Sequence, residues 1–241
     1  MSFINDWRKS LEKTELPFRW SLYIPLIIIA IHLLIIIVLR SFLSSTSGIL
    51  ALLCSPQVFF LAALILVSLF LRLKPREIGL SFSGLRFNML YGIKVSLIPP
   101  LLVILFILLP VTFFQLITTG HISILEGFQQ GRPSLGLISA IQLLVLSPFA
   151  EELFFRGFLI PPLKRSFSLW LSVLLSALIF MSAHGYIKPG AFLLGLFTAV
   201  IFIRTGSVIP SIIFHFSCNL WGPLLAYFFP EIYRVLYFLF R

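Results

Sequence analysis

The sequence predicts an all-α fold, a polytopic membrane bundle of about eight transmembrane helices, with seven as the alternative. Hydrophobic residues make up 59% of the 241 residues, whereas charged residues make up only 11%. In a soluble domain, about a quarter of the residues are charged. The apolar runs are longer than the roughly 10–14 residues of a buried core helix, and they lack the alternating pattern of an outer-membrane barrel. Helices follow, because in lipid each segment must satisfy its own backbone hydrogen bonds.

The chain divides into a short leader and one membrane domain. Residues 1–20 are basic, and Ile4, Trp7 and Leu11 have the spacing of one helix face. This pattern predicts an amphipathic segment that lies at the membrane interface. A poorly ordered basic leader is the alternative. Residues 21–241 are expected to form a single integral membrane domain.

Seven apolar runs follow the leader, and proline and glycine mark their irregular points. The runs cover residues 21–39, 49–71, 88–117, 135–163, 168–184, 190–203 and a seventh from Val208, before a last apolar stretch that runs to Arg241. We expect the third helix to bend at Pro99, Pro100 or Pro110. We expect Gly222-Pro223 to break the seventh helix, because proline removes a helical hydrogen bond.

The fourth apolar run carries Pro148 in its middle. A proline at this place predicts that one helix ends near Ser147 and that another begins there. Glu151 and Glu152 would then lie in the first turn of the second helix, where the helix dipole favours acidic groups.

Basic residues are distributed unequally between the loops. One set of alternate loops and ends carries most of them: Arg8, Lys9, Lys13, Arg19, Arg72, Lys74, Arg76, Arg86, Lys94, Lys164, Arg165 and Arg204. In the other loops we count only Arg40, Arg132 and Lys188. The positive-inside rule then places the N-terminus in the cytoplasm, and the cell (plasma) membrane is the expected location. The net charge of +10 reflects this topology, so we predict no nucleic-acid partner.

Two adjacent carboxylates, Glu151 and Glu152, stand out because the chain has only eight acidic residues. A charge at the bilayer centre costs about 2.5–3.5 kcal/mol on insertion scales, so such groups usually face a cavity and mark a functional site. Neighbouring helix positions point in different directions, which predicts different roles for the two. Glu152 and Arg156 are four residues apart and can pair on one face, which leaves Glu151 for chemistry. The reverse assignment of the two glutamates is the alternative.

His184 is expected at the same depth as Glu151. The fourth and fifth helices join near residues 164–168, and the two residues lie equally far along the chain from the middle of this turn. Phe180 precedes His184 by four residues and can form a wall of the same pocket. Taken alone, His184 would be interpreted as a cap at a helix end.

His215 and Asn219 are also four residues apart, so they share one face of the seventh helix. Burying either side chain in an apolar segment costs free energy. Hydrogen bonding between helices is the alternative to a catalytic role, since histidine and asparagine often supply it in membranes. His32 and His121 are assigned no role.

These residues are typical of a site in which a carboxylate activates water. The chain has no Gly-x-Ser-x-Gly elbow and no His-Glu-x-x-His signature, which argues against serine and zinc hydrolases of those types. A buried glutamate can act as a general base. Attack of water on a peptide carbonyl creates an oxyanion, which histidine and asparagine side chains can stabilise.

Three motifs occur in order on successive apolar segments: Glu151-Glu152-x-x-x-Arg156, Phe180-x-x-x-His184 and His215-x-x-x-Asn219. Each motif is weak alone, but the ordered set is specific. Together the motifs resemble the CPBP family of CAAX proteases and bacteriocin-processing proteins, also called the Abi family. The similarity covers about residues 135–225.

The resemblance implies an eight-helix intramembrane glutamate protease. We expect no cofactor, because Glu151, His184 and an oxyanion site assisted by Asn219 account for these residues without one. The resemblance also implies that Glu151 activates water with the help of His184. The other four motif residues would stabilise the oxyanion or support the site, with His215 and Asn219 in the first role and Glu152 and Arg156 in the second. Zinc is the minority alternative, because two histidines and a glutamate could bind it.

The expected function is therefore an intramembrane endopeptidase. Its partners would be the lipid bilayer and a membrane-associated protein or peptide, such as a prenylated C-terminus, a bacteriocin leader or a sorting tail. A non-catalytic immunity or toxin-binding protein of the same fold is the first alternative. A proton-coupled transporter is the second, although the polar residues lie only in the second half of the chain, without the repeat that such transporters usually have.

Overall fold

The computed structural model describes residues 20–43, 55–82, 84–119, 136–184, 187–229 and 233. Within these ranges every regular element is helical, which confirms the predicted all-α bundle. The helices in chain order are α1 (Tyr23–Leu43), α2 (Pro56–Leu71), α3 (Leu85–Thr118), α4 (Leu137–Ser166), α5 (Leu169–Ser182), α6 (Pro189–Thr205) and α7 (Val208–Phe228). A 3-10 turn, Pro75–Ile78, lies between α2 and α3.

Each of the seven predicted apolar runs overlaps one of these helices. Within the described ranges, α3, α4 and α7 are long and apolar enough to cross a membrane, and the other four are shorter apolar helices. Large apolar side chains cover the outside of the bundle, such as Phe70 and Phe106, which are 86% and 73% exposed. The chain is an integral membrane protein. The predicted leader and the stretch beyond α7 lie outside the described residues, apart from Trp20, Phe229 and Tyr233.

Helix α4 is the centre of the bundle, and its two halves differ in burial. It contacts α1, α2, α5, α6, α7 and the 3-10 turn. Residues 150–163 are all buried, whereas residues 137–146 are half-buried or exposed. Glu151 lies next to the boundary between the two halves. The half of α4 that follows Glu151 is therefore enclosed by protein.

Pro148 does not break α4, so the predicted break near Ser147 is wrong. The helix runs without interruption through the proline, and a π-helical turn, Gln142–Leu146, precedes it. The wider turn lets the Ser147 N–H bond to the Gln142 carbonyl. The helix continues because a full break would leave several backbone groups unpaired in an apolar environment, whereas proline removes one bond. The two glutamates consequently lie in the middle of a helix, and the predicted dipole effect on them does not apply.

The predicted break at Gly222-Pro223 is also wrong, since α7 continues through Pro223 to Phe228. The same argument from unpaired backbone groups accounts for it. In α3, the irregular points lie just before the prolines, as a turn at Leu97 and a π-helical turn at Ile104–Leu108. Proline in this protein distorts helices without ending them.

The 3-10 turn is docked tightly against the enclosed half of α4. Gly79 has a φ of 73°, which favours glycine, and its carbonyl accepts a hydrogen bond from the Val208 N–H at 2.9 Å. A Cβ added to Gly157 would lie 2.1 Å from the Ile78 carbonyl oxygen. Since the clash is with backbone, only a shift of the turn or of α4 could relieve it.

We expect Gly157→Ala to destabilise the protein by about 1–3 kcal/mol, as overpacking a tight contact does. Gly222→Ala is the matched control, because a Cβ there meets nothing within 4 Å. Thermal unfolding in detergent would compare the two variants. Equal melting temperatures would show that the contact with Ile78 is not tight.

Candidate active site

The Glu152 carboxylate and the Arg156 guanidinium form a fully buried ion pair. The Arg156 Nε lies 3.1 Å from Glu152 Oε2, and both side chains have no exposed surface. Arg156 also donates through Nη2 to the Gly195 carbonyl at 3.3 Å and to the Thr198 hydroxyl, and its Cζ lies 4.6 Å from the centre of the Phe180 ring. The pairing predicted from the four-residue spacing is therefore present. The two charges compensate each other where water cannot solvate them.

His215 lies between the two glutamates, a position that its spacing to Asn219 did not predict. Its Nδ1 is 2.8 Å from Glu152 Oε1, and its Nε2 is 3.9 Å from Glu151 Oε2. The imidazole is buried. An ionised carboxylate only accepts hydrogen bonds, so Nδ1 is the donor to Glu152. The ion pair with Arg156 thus also orients His215, and Nε2 is directed toward Glu151.

Glu151 is held through one of its two carboxylate oxygens. Its Oε1 accepts hydrogen bonds from the Ser147 hydroxyl at 2.6 Å and from Gln57 Nε2 at 3.2 Å. The Gln57 carbonyl oxygen accepts in turn from Gln142 Nε2 at 3.4 Å. Neither Ser147, Gln57 nor Gln142 was among the predicted site residues. Ser147 could have been found, since it precedes Glu151 by four residues on the same helix.

Glu151 and His184 line one cavity of about 150 Å³, together with Ile36, Pro56, Gln57, Phe60, Phe155 and Ala183. The equal depth predicted for the two residues agrees with this arrangement. The Nδ1 of His184 lies 2.9 Å from the Phe180 carbonyl oxygen, which can only accept, so Nδ1 is the donor. In the neutral ring, Nε2 of His184 is then left as an acceptor for a water molecule in the cavity.

His32, to which the sequence assigned no role, lies behind this cavity. It is buried, its Nε2 is 3.3 Å from the Ala183 carbonyl oxygen, and its ring packs 4.6 Å from that of Phe60. Ala183 directly precedes His184. His32 therefore supports the turn that carries His184, and nothing in a single apolar segment would have indicated this.

Asn219 makes the interhelical hydrogen bond that was the alternative to its catalytic role. Its Nδ2 donates to the Leu143 carbonyl of α4 at 2.8 Å. This carbonyl needs an external donor, because the Ser147 N–H bonds to Gln142 and Pro148 has no N–H. One hydrogen of the Asn219 amide group is committed to this bond, and the second has no acceptor among the residues that the structure describes.

The structure brings five of the six predicted site residues close together and leaves Asn219 apart from them. Glu152, Arg156 and His215 form one connected buried cluster, and Glu151 adjoins it through the 3.9 Å approach to His215. His184 shares the cavity with Glu151, while Asn219 binds α4 at Leu143, about two turns before Glu151. In the part of the chain that the structure describes, no three histidine, cysteine or acidic side chains are grouped closely enough to hold a metal ion.

Comparison with known proteins identifies the segment that carries these residues. Residues 133–221 match the family model described as type II CAAX prenyl endopeptidase, Rce1-like. The segment is thus similar to CAAX proteases. It contains all three motifs, so the resemblance to CPBP proteases is confirmed.

One curated relative is similar to this chain over part of its length. An uncharacterized 24.3 kDa protein of Escherichia coli is 27% identical over 97 residues, which cover 37% of this chain and 45% of that protein. The similarity thus spans less than half the length of the curated relative. None of the solved structures matches the chain at a significant level.

The two glutamates differ in what neutralising each would cost. Glu152→Gln removes the partner of a fully buried arginine, and we expect it to lower the free energy of unfolding by about 3–5 kcal/mol. In Glu151→Gln, the side-chain carbonyl oxygen can still accept from Ser147 and Gln57, so its stability should stay close to that of the native chain. Unfolding of both variants in the same detergent would test this. A larger loss for Glu151→Gln would support the reverse assignment of the pair.

The bond from Asn219 to Leu143 predicts coupling with Pro148. Asn219→Ala should destabilise the native chain by about 1–3 kcal/mol, because it leaves the carbonyl without a donor. In a Pro148→Ala background, the restored N–H of residue 148 can donate to the Leu143 carbonyl. Asn219→Ala should then lower the free energy of unfolding by less. A double-mutant cycle measured by unfolding would detect the difference. Additive effects would mean that Asn219 does not compensate for the proline.

Proposed function

We propose that the chain is an intramembrane endopeptidase in which Glu151 activates water to hydrolyse a peptide bond. The observation that carries the proposal is the environment of Glu151. Its Oε1 is occupied by two donors, whereas its Oε2 has His215 Nε2 at 3.9 Å and no closer hydrogen-bond donor among the described residues. A carboxylate oxygen without a donor, beside a cavity, can accept a proton. The match of residues 133–221 to a family of endopeptidases supports the same reaction.

The reaction proposed for this site begins with a water molecule between Glu151 and His184, which line the same cavity. The Oε2 of Glu151 takes a proton from this water as its oxygen bonds to the carbonyl carbon of the scissile peptide bond. The Nε2 of His184 accepts the second water hydrogen in a hydrogen bond and thereby orients the attack. Glu151 thus acts as the general base, and His184 positions the water.

The attack moves negative charge onto the carbonyl oxygen of the substrate. We assign its stabilisation to the His215 imidazole and to the second amide hydrogen of Asn219. The contact of His215 Nδ1 with Glu152 supports this, because it holds the ring with Nε2 on the Glu151 side. The carbon–nitrogen bond then breaks, and Glu151 returns its proton to the leaving nitrogen. Glu152 and Arg156 touch no reacting atom and position His215.

The site in this proposal uses no metal ion and no organic cofactor, so hydrolysis should continue after treatment with a chelator. The substrate is a membrane-associated protein or peptide. A prenylated C-terminus is the first candidate, because the matching family is described as a CAAX prenyl endopeptidase. A bacteriocin leader and a sorting tail are the other candidates. The proposal places the protein in the cell membrane with a cytoplasmic N-terminus, on the basis of the distribution of basic residues.

Loss of the proposed general base should abolish hydrolysis. We expect Glu151→Ala to reduce cleavage by at least about 10²-fold, the contribution typical of a general base. The measurement compares the termini of membrane proteins by mass spectrometry in cells that carry the native chain or the variant at equal abundance. New terminal peptides seen only with the native chain would identify the substrate.

Glu77→Gln is the control for this comparison, because Glu77 is a buried carboxylate outside the site that accepts from the Lys74 N–H at 2.7 Å. It should keep full cleavage. Identical termini with the native chain and with Glu151→Ala would overturn the proposal and favour a binding or immunity role.

A further inference from the structure

The side chain of Gln57 connects the first turn of α2 to the proposed general base. Its Nε2 donates to Glu151 Oε1 at 3.2 Å, and its carbonyl oxygen accepts from Gln142 Nε2 at 3.4 Å. Gln57 lies outside the family match, which begins at residue 133. We propose that Gln57 is a positioning residue that, itself oriented by Gln142, holds Glu151 so that Oε2 takes the proton from water. This inference rests on the proposed function.

The orientation of the Gln57 amide determines whether the Glu151 carboxylate faces a hydrogen-bond donor or an acceptor. An amide group has a donor end and an acceptor end. Gln142 donates to the acceptor end, so the donor end is turned toward Glu151. With the amide reversed, its carbonyl oxygen would face the carboxylate and repel it. Gln142 therefore acts on Glu151 only through Gln57, since the structure gives it no direct contact with the carboxylate among the described residues.

Gln57 connects Glu151 to a second helix, which Ser147 cannot do. Ser147 also donates to Oε1, at 2.6 Å, but it is on the same helix as Glu151 and moves with it. Gln57 is on α2 and lines the cavity beside His184. The bond from Gln57 thus ties the carboxylate to the wall that carries the proposed water site. Without this bond the plane of the carboxylate could turn, and its donor-free oxygen would no longer be directed toward the water.

The test uses the purified full chain in proteoliposomes, with a fluorogenic prenylated CAAX peptide as the probe. Gln57→Leu keeps the size of the side chain and removes the donor. We expect kcat to fall about ten- to a hundredfold, the range for one hydrogen bond to a charged group, with little change in KM. The melting temperature, measured on the same samples, should stay near that of the native chain because Gln57 is only half-buried.

Gln142 provides a second, sharper comparison. Gln142→Glu places an acceptor where a donor stands, which should reverse the Gln57 amide and lower kcat more than Gln142→Leu does. In a Gln57→Leu background, neither substitution at 142 should lower kcat further, because residue 142 acts through residue 57. A purely structural role would not produce this order.

The outcomes separate the two proposals. A native kcat in Gln57→Leu, or additive losses at 57 and 142, would overturn the positioning role while leaving the proposed function intact. Cleavage of the probe that is equal for the native chain and Glu151→Ala would overturn the proposed function and the positioning role together. A kcat loss confined to variants that remove or reverse the Gln57 donor would support both.

Discussion

The need to pair buried charge determines the interior of this protein. Arg156 and Glu152 are both without exposed surface, and either charge alone would be costly in so apolar a bundle. Their pairing explains why α4 is central: Phe180 of α5 and Gly195 and Thr198 of α6 approach the arginine, and His215 of α7 approaches the glutamate. One ion pair thereby brings four helices together. The proposed catalytic groups take their positions from this arrangement.

A second constraint is that every backbone carbonyl inside the bundle needs a donor. Two prolines of α4 illustrate it. Pro148 leaves the Leu143 carbonyl to Asn219, and Pro162 has no N–H for the Phe158 carbonyl, which accepts from the Trp20 indole at 2.8 Å. In both cases a side chain that is distant in sequence supplies a hydrogen, Asn219 from α7 and Trp20 from the residues before α1. These prolines are therefore points at which α4 is joined to other parts of the chain, and Asn219 owes its position to one of them.

The sequence predicted those features that depend on residues close together along one helix. The apolar runs correspond to the seven described helices, and the four-residue spacing of Glu152 and Arg156 predicted their ion pair. The contact of His215 with Glu152 could not be predicted, because the two are 63 residues apart and nothing local pairs them. Gln57 was missed for the same reason. The breaks expected at Pro148 and Pro223 were wrong, since a local rule for proline does not include the cost of exposing backbone in an apolar bundle.

By itself, the sequence determined that this is an all-α membrane protein and that its polar chemistry is concentrated on α4, α5 and α7, because composition and helical spacing are properties of the chain alone. Only the tertiary structure decided which oxygen of Glu151 is bound, which histidine lies beside it, and which half of α4 is enclosed. These depend on the packing of helices that are distant in sequence. The resemblance could name the residues, but the distances between their atoms come from the way α2, α4, α5 and α7 meet.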